Sequence, residues 1–261
     1  MGITEIRRIL KDGVDTPVEV DGDELVAEDG WRVPIHEAHH LPPVRPTKIL
    51  CVHLNHISRV REFQTTLPAA PTYFHKPVSS LNRHLGDVVR PERCRWLNYE
   101  GEVVIVIGQP CRNIDPTEAG HYIGGYTIGN DFGLHDFRDT DAGSMLRVKG
   151  SDTLCPVGPG IVSGWDFHGK RIRTLVNGEV AQDGTTDEMT WDMHYLVADL
   201  ARTITLFPGD LIFSGTPANS RPVEPGDLVT VEVEGLGGLT NRIVSGENPI
   251  RDDCGAQPSE S

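Results

Sequence analysis

The stretch Tyr99-Glu100-Gly101-Glu102-Val103-Val104-Ile105-Val106-Ile107-Gly108 decides how this chain folds and where its chemistry is to be sought. Its run of branched aliphatics reads as a strand buried on both faces, closed by a glycine. Side chains alternate along a strand, so Glu100 and Glu102 share one face. Two like charges at the mouth of an apolar strand repel each other, and burying them unpaired would force one to hold a proton. A cation removes both problems. A second apolar stretch, Tyr126-Thr127-Ile128-Gly129, ends at Asn130-Asp131. Laid beside the first, it would bring Asp131 to the pair as a third carboxylate. An all-oxygen triad suits a hard cation, Mg²⁺ or Mn²⁺, with Ca²⁺ less suited. Three protein ligands would leave positions for water and substrate. The E-x-E pattern also suits a solvated strand face, and spacing alone does not separate the two readings.

Working outward, glycine and proline are frequent and helical periodicity is scarce, which predicts a sheet-rich α+β fold with many turns. Residues 1–43 read as a small N-terminal strand unit, with Gly22-Asp23 and Asp29-Gly30 as turns, leading into the stiff Leu41-Pro42-Pro43-Val44-Arg45-Pro46 linker. The catalytic domain is expected over 44–246, beginning with a buried strand at Ile49-Leu50-Cys51-Val52. Asp115-Pro116-Thr117-Glu118 predicts a helix start. The apolar spacing of Met193, Leu196, Val197, Leu200 and Ile204 predicts a helix over 191–204. Pro208-Gly209-Asp210 and Pro225-Gly226-Asp227 are turns feeding strands at 211–214 and 228–233. Residues 247–261 read as a polar tail, with fraying expected from Gly246.

A net charge of −14 over 261 residues argues against nucleic acid as a partner. No stretch approaches the apolar length of a membrane span. The N-terminus does not read as a signal peptide. The five cysteines are odd in number and show no C-x-x-C, which predicts reduced thiols rather than a disulfide framework. The expected location is the cytoplasm. His36-Glu37-Ala38-His39-His40 matches H-E-x-x-H, but Pro34 and Pro42-Pro43 leave no room for the helix that this zinc motif needs.

Several blocks together resemble the fumarylacetoacetate hydrolase family. They are Asn98-Tyr99-Glu100-Gly101-Glu102 with the aliphatic run after it, Gly125-Tyr126-Thr127-Ile128-Gly129-Asn130-Asp131, and Arg147-Val148-Lys149-Gly150-Ser151-Asp152. Ser214-Gly215-Thr216-Pro217, Val231-Glu232-Val233-Glu234-Gly235-Leu236-Gly237 and the F-x-K-P match Phe74-His75-Lys76-Pro77 complete the set. Asn177-Gly178-Glu179, Gly184-Thr185-Thr186 and Asn241-Arg242-Ile243-Val244-Ser245 are most similar to the homoprotocatechuate-pathway decarboxylase/isomerase branch. The resemblance implies a mixed β-roll, a homodimer and one Mg²⁺ or Mn²⁺ per subunit held by Glu100, Glu102 and Asp131. It also implies Lys149, Lys76 and Thr216 beside a 2-oxo acid substrate.

Hydrolases of the family carry N-Y-x-x-H-x-x-E on a mobile lid, whose His and Glu activate water. Here Asn55 and Glu62 match, while His56 stands at the tyrosine position and Arg59 at the histidine position. A second departure follows Asp131, where S-A-R-D-x-Q is replaced by Gly133-Leu134-His135-Asp136-Phe137-Arg138. His56 with Glu62 could form an acid–base pair if the lid bends. Arg59 and Arg138 could hold substrate carboxylates or serve as surface ion-pair partners. Lys149 could pin a carboxylate or carry protons. The leading expectation is a metal-dependent decarboxylase/isomerase of unsaturated 2-oxo dicarboxylates in aromatic catabolism. Alternatives are an acylpyruvate or fumarylpyruvate hydrolase, an oxaloacetate decarboxylase, or a non-enzymatic metal binder whose lid chemistry is impaired.

Overall fold

The computed structural model describes residues 2–250; Cys254 and most of the expected tail lie outside them. The architecture is α+β and dominated by two mixed sheets. The larger sheet has 11 strands, and its centre runs Thr4–Lys11, Cys155–Ser163, Ile123–Asn130, Gly101–Ile107, Leu211–Phe213, Ile49–Val52 and Tyr73–Lys76. The smaller runs Glu179–Thr185, Arg171–Val176, Leu228–Val233, Gly237–Pro249 and Val88–Glu92.

The Gly101–Ile107 strand is buried along its whole length, and each face has its own core. Val103, Ile105 and Ile107 pack with Val231, Val233 and the Met193–Ala201 helix. Val104 and Val106 pack with Ile49, Cys51 and Phe213. This is why the sequence shows a continuous aliphatic run instead of alternation. Gly101, between the two glutamates, lies where the smaller sheet packs closely on this strand. A Cβ there would lie 2.2 Å from Thr174 Oγ1 and 2.9 Å from Val231 Cγ1. The glutamates therefore project from the opposite face, away from the smaller sheet.

Local signals map onto the elements with some differences. The Asp115 signal yields a capping box, but the element is a 3₁₀ helix, Pro116–His121, that hands over at once to the Ile123–Asn130 strand. The expected 191–204 helix is shorter, Met193–Ala201, capped by Asp192 accepting from the Tyr195 amide at 2.7 Å. The N-terminal unit folds as Thr4–Lys11, Val14–Asp21, Glu24–Ala27 and Arg32–Pro34, and its first strand pairs antiparallel with Cys155–Ser163. That unit thus continues the larger sheet. Gly246 does not begin a frayed end, because the last strand runs on to Pro249, paired with Glu92.

Candidate active site

Pairing of Gly101–Ile107 with Ile123–Asn130 sets Gly101 opposite Asn130, so the residues just before and after, Glu100 and Asp131, become neighbours. The Asp131 amide donates to the Glu100 carbonyl at 2.8 Å, and Asn130 Oδ1 accepts from the Glu100 amide at 2.8 Å. One carboxylate oxygen each from Glu100, Glu102 and Asp131 lie within 4.8 Å of one another.

The three carboxylates differ in their compensation. Lys149 Nζ donates to Glu100 Oε2 at 2.7 Å and to the Asp131 carbonyl at 2.9 Å, and lies 2.9 Å from Asp131 Oδ2. Lys76 Nζ donates to Asp131 Oδ1 at 2.5 Å and to the carbonyls of Leu154 and Phe132. Arg59 Nη2 donates to Glu100 Oε1 at 3.0 Å. Burial works against charge on Glu100, yet Lys149 and Arg59 hold its carboxyl well below the usual range. Glu102 accepts only from the Gly215 amide, at 2.6 Å, among the described residues. Burial, then the charges of Asp131 and Glu100, push its carboxyl well above the usual range. Such a site fits a divalent cation. Each carboxylate oxygen keeps a further lone pair for it, and Glu102 lacks the positive partner that would let it ionise.

A cavity of about 410 Å³ opens on the triad. Lys149, Thr216, Arg59, Phe74 and Arg138 line it together with His53 and His135. Thr216 Oγ1 accepts from Gln182 Nε2 at 3.0 Å, which orients its hydroxyl. Lys76 is absent from the lining; it is fully buried behind Asp131 with its donors engaged. Arg138 is exposed at the rim, its guanidinium 5.5 Å from the Phe63 ring centroid, and forms no ion pair among the described residues.

The lid helix, Ile57–Glu62, is docked. Glu62 accepts from Arg59 Nη1 at 2.6 Å, from Arg221 Nη1 at 2.7 Å and from the Asn219 amide at 3.2 Å. Against the effect of burial, the two arginines keep its carboxyl below its ordinary value. Glu62 faces a neighbouring cavity of about 610 Å³, with Arg95, Trp96 and Arg221. His56 is fully buried at the helix N-cap, with Nδ1 3.9 Å from Glu188 Oε2. Six helical positions separate His56 and Glu62 by about 120° around the axis, so the structure does not bring them together.

Two cavity histidines escaped the sequence reading. His53 lies on the loop after Ile49–Val52, its ring centroid 4.6 Å from that of Phe74. Burial, and then Lys149, lower its pKa. His135 opens the turn after Gly133–Leu134, and burial followed by the Lys149 charge lowers its pKa to about 4. The replaced S-A-R-D-x-Q segment was the available signal for His135.

A family profile described as fumarylacetoacetate (FAA) hydrolase C-terminal matches residues 48–244. An uncharacterized protein of Archaeoglobus fulgidus is 39% identical over 236 residues, 90% of this chain and 94% of that one. A 4-hydroxyphenylacetate degradation bifunctional isomerase/decarboxylase of Escherichia coli is 39% identical over 202 residues, 76% of this chain but only 47% of that protein. Among solved structures, 2-hydroxyhepta-2,4-diene-1,7-dioate isomerase from Mycobacterium marinum superposes with a TM-score of 0.85 at 34% identity, covering 94% of this chain and 100% of that one.

Proposed function

The chain belongs to the fumarylacetoacetate hydrolase family, and on that premise we propose that it is a divalent-metal-dependent decarboxylase/isomerase of unsaturated 2-oxo dicarboxylic acids in aromatic catabolism. The observation that carries this reading is the Glu100, Glu102 and Asp131 cluster at the floor of a cavity walled by Lys149 and Arg138. These carboxylates would hold one Mg²⁺ or Mn²⁺ per subunit of a homodimer. The bound cation supplies Lewis-acid stabilisation of charge developing on the carboxylate and keto oxygens of a 2-oxo acid.

The chain's own residues do the rest. Three ionised carboxylates (Glu62, Glu100, Asp131) face four cations (Arg59, Lys76, Lys149, Arg221), and a bound dication would let Glu102 ionise as the fourth, which balances the protein's own charges. A dication leaves an excess of two positive charges, which suits a dianionic ligand in a site of low dielectric. Lys149 fixes Glu100 relative to Asp131 and adds positive potential at the cavity wall. Arg138, without an acidic partner among the described residues, would take a distal carboxylate at the rim.

The lid favours this reading over hydrolysis. A hydrolase needs a base poised over water. Glu62 is instead ionised and anchored by Arg59 and Arg221, and His56 lies off the cavity. Cleavage of a carboxylate as CO₂ needs no such base. The test is turnover of an unsaturated 2-oxo dicarboxylate, oxaloacetate and an acylpyruvate, each with Mg²⁺ and after chelation. Metal-dependent decarboxylation or isomerisation without acylpyruvate cleavage is expected. Acylpyruvate cleavage alone would favour the hydrolase, and no turnover of any of the three would leave only a metal-binding protein.

A further inference from the structure

We propose that His135 is the proton carrier of this site, the group that moves hydrogen between carbons of the bound 2-oxo acid. The inference rests on the proposed function and adds to it the acid–base residue that the lid does not provide.

Gly133–Leu134 pairs with Leu97–Asn98, and the His135 amide donates to the Trp96 carbonyl at 2.9 Å. Asp136 then accepts from the Arg95 and Trp96 amides, at 3.1 and 3.0 Å, and clamps the turn. The ring at position 135 is thereby held from a rigid base, where it lines both this cavity and the neighbouring one. Gly133 leaves the space it needs: a Cβ there would lie 3.2 Å from both His135 Nε2 and Lys149 Cε.

His135 Nε2 is buried and has no hydrogen-bond partner among the described residues. Buried polar atoms are nearly always satisfied, and an orphan in a cavity wall points to a ligand that completes it.

The other candidate groups are engaged. Lys149 Nζ is occupied by Glu100, Asp131 Oδ2 and the Asp131 carbonyl, and Asp131 and Glu100 hold it charged. Lys76 is buried behind Asp131, Glu62 is locked to two arginines, and His56 does not line the cavity. The charged groups bearing on the imidazole are Lys149, Glu100, Arg138 and Arg59, and the cations outnumber the anion. They favour a neutral ring with a free lone pair.

The step balances without another reactant. The Nε2 lone pair takes a proton from the carbon beside the keto group. The C–H pair becomes the C=C bond of the enolate, and the keto π pair moves onto oxygen. The imidazolium then returns its proton to the remote carbon of the conjugated chain, the enolate oxygen pair re-forms C=O, and the double bond has shifted. With a substrate that lacks the conjugated chain, the same pair of steps appears as exchange of the C3 protons with solvent.

The experiment follows loss of the methyl proton signal of pyruvate in D₂O by NMR, with Mn²⁺-loaded wild type, His135→Gln, His53→Gln and His135→Ala with and without free imidazole. Mn²⁺ affinity is measured for each. We expect His135→Gln to slow exchange by about 10²–10⁴-fold at unchanged Mn²⁺ affinity, His53→Gln to retain most of it, and imidazole to restore His135→Ala. Exchange by His135→Gln at the wild-type rate would overturn the proposal, as would loss without imidazole rescue, which marks a structural role. Loss confined to His53→Gln would overturn it in favour of that residue. A wild type that binds Mn²⁺ but exchanges nothing would instead remove the 2-oxo acid reading on which the proposal stands.

Discussion

Glu102 is the residue whose situation says most about this site. It is 3% exposed, accepts one amide, and sits within 4.8 Å of two other carboxylates. Replacing it by glutamine removes repulsion while keeping its shape. Glu102→Gln should therefore weaken Mn²⁺ binding by at least about 100-fold while leaving the metal-free melting temperature unchanged or higher, since neutralising an unpaired buried charge costs no stability. Calorimetric titration and thermal melts check both; a variant that binds Mn²⁺ normally contradicts the ligand role. Glu100→Ala is a less clean probe, because it strips Lys149 and Arg59 of a partner and should cost about 2–4 kcal/mol in urea unfolding. The shared face of Glu100 and Glu102 was legible from strand alternation alone. Asp131 needed the further premise that two strands pair. His135 was not legible, because its meaning depends on a turn that only the Gly133–Leu134 and Leu97–Asn98 pairing creates. Lys76 was matched by a motif, but not its depth: three acceptors around one ammonium hold it behind the triad.

Among the elements, the lid helix and the turn at Asp210 carry the clearest expectations. The lid is tied down by Glu62 bridging Arg59, Arg221 and the Asn219 amide. Arg221→Ala should raise amide exchange over residues 57–64 by about 2–5-fold, the scale of one partly exposed ion pair. Unchanged exchange would mean that the helix is held by packing alone. Asp210 is fully buried and accepts from the Thr47, Lys48 and Phe207 amides and from the Thr47 hydroxyl, and it pairs with Lys48 Nζ. It thereby joins the chain after the proline linker to the start of the Leu211–Phe213 strand. Burial opposes its charge, but these donors, Lys48 first, hold its carboxyl below its ordinary 3.8. A depressed carboxyl stabilises the fold above its unfolded-state pKa and loses that contribution as pH falls through the folded value. Asp210→Asn should thus cost about 2–4 kcal/mol near neutrality, and its deficit relative to wild type should shrink below about pH 3.8. A deficit independent of pH would contradict the electrostatic account. The Pro208-Gly209-Asp210 turn was readable in the sequence, but its role as a clamp was not, because the partners lie more than 160 positions earlier. Element ends were the least legible: the 193–201 helix stops short of Ile204, and the Asp115 signal opens a 3₁₀ helix because the following strand begins at Ile123.

At the scale of the whole molecule, the continuous aliphatic run foretold a strand buried on both faces; the smaller sheet and the Met193–Ala201 helix cover one, and a core that includes the larger sheet's own strands packs on the other. The N-terminal strands joined the larger sheet through Cys155–Ser163, a pairing across about 150 residues that no local pattern announces. Among the described residues no helix is long and apolar enough to cross a membrane. The proposed homodimer predicts sedimentation at twice the chain mass, whereas a monomer at micromolar concentration would remove it. Charge over the molecule is strongly negative, −14, while Lys149, Arg59 and Arg138 line the cavity, where a bound dication would add to their positive potential. Oxalate, a dianion shaped like the enolate of pyruvate, should therefore bind in the presence of Mn²⁺ and lose at least about 100-fold in affinity after chelation, because chelation removes the two positive charges it would face.

The most direct test of the central claim is a crystal soaked with Mn²⁺ and oxalate and measured near the manganese absorption edge. The account predicts one anomalous peak per chain, about 2.0–2.4 Å from carboxylate oxygens of Glu100, Glu102 and Asp131, with oxalate beside it in the cavity. A site fully loaded with Mn²⁺ elsewhere, or no peak at this triad, would contradict it.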